Sequence, residues 1–200
     1  MPSKSKRENA KESLRQEIMD AARELFVNEG YERVSMRRIA DRIGYSATTI
    51  YLYFDDKADL MTQICEQTFG ELTRKITAIN RRSADPIEGL HAGMAEYINF
   101  GLRHPSHYLL LFGTTSPKEM KVSFENSNGK LAFETLREAV SRCIDSGRFR
   151  TGDVELISQS LWAGLHGITS LLITQRHFPF VARKRLIENT IQTMIAGAAR

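Results

Sequence analysis

Two hundred residues with 42% hydrophobic and 26% charged content describe a soluble globular chain, able to build one sizeable core or two small ones, and exclude a disordered protein. A formal net charge of +4 favours polyanionic partners only weakly. The cysteines, Cys65 and Cys143, form no C-x-x-C pair, which argues against a disulfide framework and fits a reducing interior. Residues 1–11 are charged and lack an apolar stretch, so no secretory signal is expected and cytoplasm is the expected location.

In chain order, residues 1–11 read as a flexible basic arm with Lys4, Lys6, Arg7 and Lys11. Leu14, Ile18, Ala21, Ala22, Leu25 and Phe26 then trace a helical stripe ending at Gly30, with Ser13 and Gln16 placed for a capping box at its start. Ser35 is an N-cap type, and Met36, Ile39, Ala40 and Ile43 recur at three- and four-residue steps on a short helix that Gly44 ends. Ser46 opens the next helix, about Ala47 to Tyr53, which turns Ile50 and Phe54 inward and leaves Thr48, Thr49, Tyr51 and Tyr53 for other surfaces. Asp56 caps a third helix, with Lys57 in its first turn and Asp59 in a capping-box position.

Two short helices joined by a turn of three to four residues form a helix-turn-helix, whose second helix fits the major groove of B-DNA, about 12 Å wide. Hydroxyl, guanidinium and ammonium groups at helix starts suit phosphate. The segment to Lys57 holds eleven Lys or Arg against ten Asp or Glu, so placement rather than bulk charge must supply the electrostatics.

The stretch resembles the N-terminal DNA-binding domain of the TetR family of transcription regulators. That domain carries S-x-R-x-I-A-x-x-x-G, here Ser35, Arg37, Ile39, Ala40 and Gly44, and Y-x-x-F-x-x-K-x-x-L, here Tyr51, Phe54, Lys57 and Leu60, after a lead-in closed by Gly30 and Tyr31. The resemblance implies a DNA-binding set of Ser35, Met36, Arg37, Tyr45, Ser46, Ala47, Thr48, Thr49, Tyr51, Tyr53 and Lys57. Within it Thr48 and Tyr51 are expected at base edges or thymine methyls, Ala47 is placed to pack on a methyl too, and Ser35, Arg37, Tyr53 and Lys57 are expected at phosphates. Tyr53 departs from the His often found there.

The helix from Lys57 runs through Ile64, Phe69 and Leu72 toward Ile79 as a connecting rod, and Arg81 to Pro86 breaks it. Helical spacing resumes over Ile87 to Arg103, in a short apolar segment after Pro105, from Pro117 with an interruption at Ser127 to Gly129, and over Leu131 to Ile144. Two last helices follow, about Val154 to Gln175 and Val181 to Ala198. Leu156 to Gln175 carries no charge, but Ser158, Gln159, Ser160, His166, Thr169, Ser170 and Thr174 make it too polar for a persuasive membrane span. It reads instead as a helix buried by its own domain and by a second copy.

Trp162, His166 and Gly167 resemble the W-x-x-x-H-G signature of a TetR subset, and a Trp and a His four apart share one helical face. Met94, Tyr97, Phe100, Tyr108, Phe112, Trp162 and His166 are the expected lining of an effector cavity, with a packed core as the alternative reading. Gly164 and Gly167 suit close helix approach at a dimer seam.

No nucleophile elbow, phosphate loop or H-E-x-x-H appears, so no catalytic residues, no metal and no cofactor are expected. The expectation is an all-α protein, not an enzyme: a helix-turn-helix domain over 12–56, a connecting helix over 57–80, and an effector-binding and dimerisation domain over 81–200. By resemblance it is a homodimer through the last two helices, released from double-stranded DNA by a small-molecule effector, with no membrane partner. The rivals are a helical small-molecule binder or enzyme whose N-terminal helices are only structural, and a protein-interaction adaptor.

Overall fold

The computed structural model describes residues 4–112 and 124–199, and among these it contains nine α-helices and no strand. The helix start expected at Pro117 lies outside the described residues. The chain divides into two compact units, Met1–Thr68 with Ser106–Ser123, and Phe69–Pro105 with Phe124–Arg200.

In the first unit α1 spans Lys4–Glu29, and a 3-10 turn over Tyr31–Arg33 leads into α2 (Met36–Ile43), α3 (Ala47–Tyr51) and the start of α4 (Lys57–Arg82). Helix α1 begins well before the expected capping box, so Ser13 lies inside it and residues 4–11 are helical rather than a loose arm. Lys, Arg, Glu and Ala are good helix formers, and extending a helix already nucleated by a packed segment costs little. Ile18, Ala22 and Phe26 of α1 meet Ile39, Ile50, Phe54, Leu60 and Met61 in one buried core. Polar contacts run beside it between α1 and α4: Gln67 donates to Gln16 at 2.6 Å, and Arg23, paired at 2.6 Å with Asp20 of its own helix, reaches Gln67 at 3.3 Å.

The fold departs from a simple N- and C-terminal split. In α6 (Pro105–Phe112), residues from Ser106 onward group with the first unit, where Leu110 is buried in its core. A short apolar helix satisfies either core equally, so spacing alone did not allocate it.

In the second unit α5 (Pro86–Arg103) packs against α7 (Asn128–Asp145), α8 (Val154–Thr174) and α9 (Arg183–Ala198). Asp85 caps α5 by accepting from the Ile87 and Glu88 amides at 2.7 and 3.2 Å, and Asp153 caps α8 through Glu155 and Leu156 at 2.8 and 3.3 Å. Helix α8 is long and apolar enough to cross a membrane by length and composition, and it packs here against α5, α7 and α9. Its Leu161, Leu165, Ile168, Leu172 and Ile173 are buried, while Leu156, Ser160, Ala163 and Leu171 stay exposed at helical spacing.

Candidate nucleic-acid interface

Local chemistry fixes the turn between α2 and α3. Ser35 Oγ accepts from the Arg38 amide at 3.1 Å, and Gly44 stops α2 with φ of 75°, a left-handed value that costs a residue bearing a Cβ about 1–2 kcal/mol. Ser46 Oγ then accepts from the Thr49 amide at 3.2 Å and meets Thr49 Oγ1 at 2.9 Å. At the start of α4, Asp56 Oδ1 accepts from the Asp59 amide at 2.8 Å, and the Asp59 carboxylate accepts from the Asp55 amide at 3.0 Å. The expected capping box forms, reaching one residue further back than the usual motif.

The orientation of α3 follows from Ile50 and Phe54, both fully enclosed in the core. With these two inward, Tyr45 is 44% exposed, Tyr51 53% and Leu52 74%, and Thr48 is also exposed. Ala47, Thr49 and Tyr53 are half-buried, with Ala47 and Tyr53 against the core. A wet, largely uncharged hydroxyl and apolar surface therefore stands on a helix of one and a half turns.

Cations frame this surface. Arg38 pairs with Glu29 at 2.8 Å and Arg42 with Glu24 at 3.3 Å, tying α2 to α1. The Arg38 hydrogen bond holds the Glu29 carboxyl below its ordinary range. Arg37 is exposed at the first turn of α2. Lys57 donates to the Tyr31 carbonyl at 2.8 Å and lies 4.2 Å from the Tyr31 ring centroid.

Among the residues expected on DNA, Met36 is the one enclosed in the core. Its side chain is only 6% exposed and belongs to the core, leaving its backbone amide as the group it can offer a ligand. Leu52, outside that expected set, is exposed as well, because its angular position opposite Ile50 on a 3.6-residue helix points it outward.

The expected effector residues divide between the units. Met94, Tyr97 and Phe100 are buried on α5 in the second unit, while Tyr108, buried, and Phe112, half-buried, sit together on α6 in the first, with ring centroids 4.9 Å apart. Trp162 is not enclosed as expected: it is 39% exposed, with its ring 6.2 Å from Phe133 and 6.1 Å from His166. The buried positions of α8 on either side of it are taken by aliphatic residues, Leu161, Leu165 and Ile168. Burial depresses the pKa of His166, favouring its neutral ring. Gly164 faces the chain's own α9, where a Cβ would lie 2.3 Å from Met194 Sδ, whereas Gly167 has nothing within 4 Å.

Residues 18–64 match the model of the bacterial regulatory proteins, tetR family, and residues 90–194 match the tetracyclin repressor-like C-terminal domain. The chain belongs to the tetR family. It is a DNA-binding transcriptional regulator of that family, and its relatives are regulators rather than enzymes. The HTH-type transcriptional activator FasR of Mycolicibacterium smegmatis is 29% identical over 140 residues, 68% of this chain and 62% of that protein, so the chain spans under two thirds of that relative. The fatty acid metabolism regulator protein of Bacillus subtilis is 22% identical over 186 residues, covering 90% and 93%.

Solved structures share the tetR-type fold. A TetR family transcription regulator from Marinobacter aquaeolei superposes with a TM-score of 0.80 at 20% identity, covering 96% of this chain and 98% of that one. The transcriptional regulator FadR of Bacillus subtilis in complex with stearoyl-CoA gives 0.79 at 20%, covering 91% and 98%.

Proposed function

We propose that this chain is a cytoplasmic, homodimeric repressor, without catalytic activity, that binds a near-palindromic operator and is released by a small-molecule effector. One observation carries the reading. Thr48 and Tyr51, with Tyr45 in the turn before them, are exposed on and beside a helix whose register is locked by Ile50 and Phe54 and whose entry is capped by Ser46. Thr48 and Tyr51 meet base edges, with Ala47 and Thr49 beside them. Ser35, Arg37, Tyr53, Lys57 and the Met36 amide hold phosphates.

One such helix reads only a few base pairs, so two copies a helical turn or more apart are required for useful specificity. The exposed stripe Leu156, Ser160, Ala163 and Leu171, with Gly167 open beside it, supports a second copy docking on α8 and α9. The stearoyl-CoA complex of the related FadR supports a long-chain acyl-CoA as effector class, and buried Met94, Tyr97 and Phe100 supply apolar surface for an acyl chain. Helix α4 contributes residues to both units and is the continuous element through which occupancy acts. Release requires that the acyl-CoA bind one spacing of the paired recognition helices better than the other.

The test is selection of bound duplexes from a random pool, followed by titration of palmitoyl-CoA, stearoyl-CoA and free CoA into the complex. A near-palindromic product released by acyl-CoA but not by CoA supports the reading. Absence of salt-dependent affinity for any duplex would return the N-terminal helices to a structural role.

A further inference from the structure

We propose that α3 selects its DNA through thymine C5-methyl groups, with Leu52 as a specificity-determining residue beside Tyr51; this rests on the regulator reading above. From Gly44 to Phe54 the chain contains no Asp, Glu, Lys, Arg, His, Asn or Gln. The base contacts that discriminate best are bidentate, from Arg or Lys to guanine and from Asn or Gln to adenine. This segment can make neither.

The neighbouring cations do not fill the gap. Of the four between Met36 and Lys57, Arg38 is turned to Glu29 at 2.8 Å, Arg42 to Glu24 at 3.3 Å and Lys57 to the Tyr31 carbonyl at 2.8 Å. Arg37 remains, and it stands on α2, outside the reading helix.

What α3 presents is apolar surface and hydroxyls. Leu52, at the C-cap, is 74% exposed, between Ile50 and Phe54, which are 0% and 1% exposed. Those two anchors fix its direction, so it cannot fold back into the core. Five helical residues span about 7.5 Å, less than the 12 Å width of the major groove, so both ends of α3 fit within it. There a T·A pair is the one that displays a methyl group, beside an O4 acceptor that the Thr48 or Tyr51 hydroxyl can donate to. Removing water from one methyl is worth about fourfold in affinity.

The experiment uses the full chain and a duplex selected by it. Each thymine of a half-site is replaced in turn by uracil, which deletes the methyl and keeps the pairing, and affinity is read by fluorescence anisotropy at fixed salt. Binding is expected to weaken about fourfold at two or more positions per half-site, and Leu52→Ala, an exposed and fold-neutral change, to erase the penalty at one of them without altering the salt slope. Insensitivity to uracil at every position overturns the inference while leaving DNA binding intact. A penalty pattern identical in Leu52→Ala overturns the role of Leu52. Recovery of no bound duplex overturns the regulator reading and this inference together.

Discussion

Lys57 and Tyr31, twenty-six residues apart, are joined twice: the ammonium donates to the Tyr31 carbonyl at 2.8 Å and sits over its ring at 4.2 Å. The contact clamps the first turn of α4 to the 3-10 turn that follows α1, and so helps hold the angle at which α2 and α3 are presented. Lys57→Met is expected to lower the unfolding free energy by about 1–2 kcal/mol and to flatten the salt slope of DNA binding by about one unit. Urea unfolding and binding at several salt concentrations separate the two effects. Unchanged stability would remove the clamp from the account.

The Arg38–Glu29 pair makes the α1–α2 junction pH-dependent. Hydrogen bonding to Arg38 above all, together with the charge of that guanidinium, lowers the Glu29 pKa from its ordinary 4.5. A depressed carboxylate contributes stability that is present above the unfolded pKa and lost as pH falls through the folded one. The part of the acid-induced loss due to this pair is therefore expected below about pH 4.5, and Glu29→Gln should remove it. Thermal midpoints of both proteins from pH 7 to 3 test this. Parallel curves would show that the pair contributes nothing.

Gly164 and Gly167 are expected to behave oppositely. At Gly164 a Cβ would collide with Met194 Sδ, so Gly164→Val should cost about 1–3 kcal/mol, with part of it recovered in combination with Met194→Ala. At Gly167 there is open space, so Gly167→Leu should leave the folded chain intact and weaken the dimer. Unfolding midpoints and light scattering on the same samples distinguish the outcomes. A fully dimeric Gly167→Leu protein would move the interface off this face of α8.

Much of the helix-turn-helix was legible in the sequence because its signals are local. Ser35, Gly44, Ser46 and Asp56 each act within four residues of themselves, and the alternation of Ile50 and Phe54 with polar neighbours states which face is buried. The helical state of residues 4–11 was not legible, since a charged run without an apolar stripe has the same composition as an arm or as an extended first turn. Met36 fits both the apolar stripe and the DNA-binding set, and packing puts its side chain in the core while its backbone amide stays available for a phosphate. The partners Lys57–Tyr31, Gln16–Gln67 and Gly164–Met194 depend on helices meeting across the fold, which no local spacing encodes. Leu110 entered the first unit's core for the same reason.

The measurement that bears most directly on the whole account is the affinity of Tyr51→Ala for the selected duplex and for a scrambled one, at low and physiological salt, beside its unfolding midpoint. Tyr51 is 53% exposed, so the fold should be unaffected. The account predicts loss of preference between the two duplexes, retention of salt-dependent nonspecific binding, and an unchanged midpoint. A Tyr51→Ala protein that still prefers the selected duplex as strongly as the wild type would contradict it.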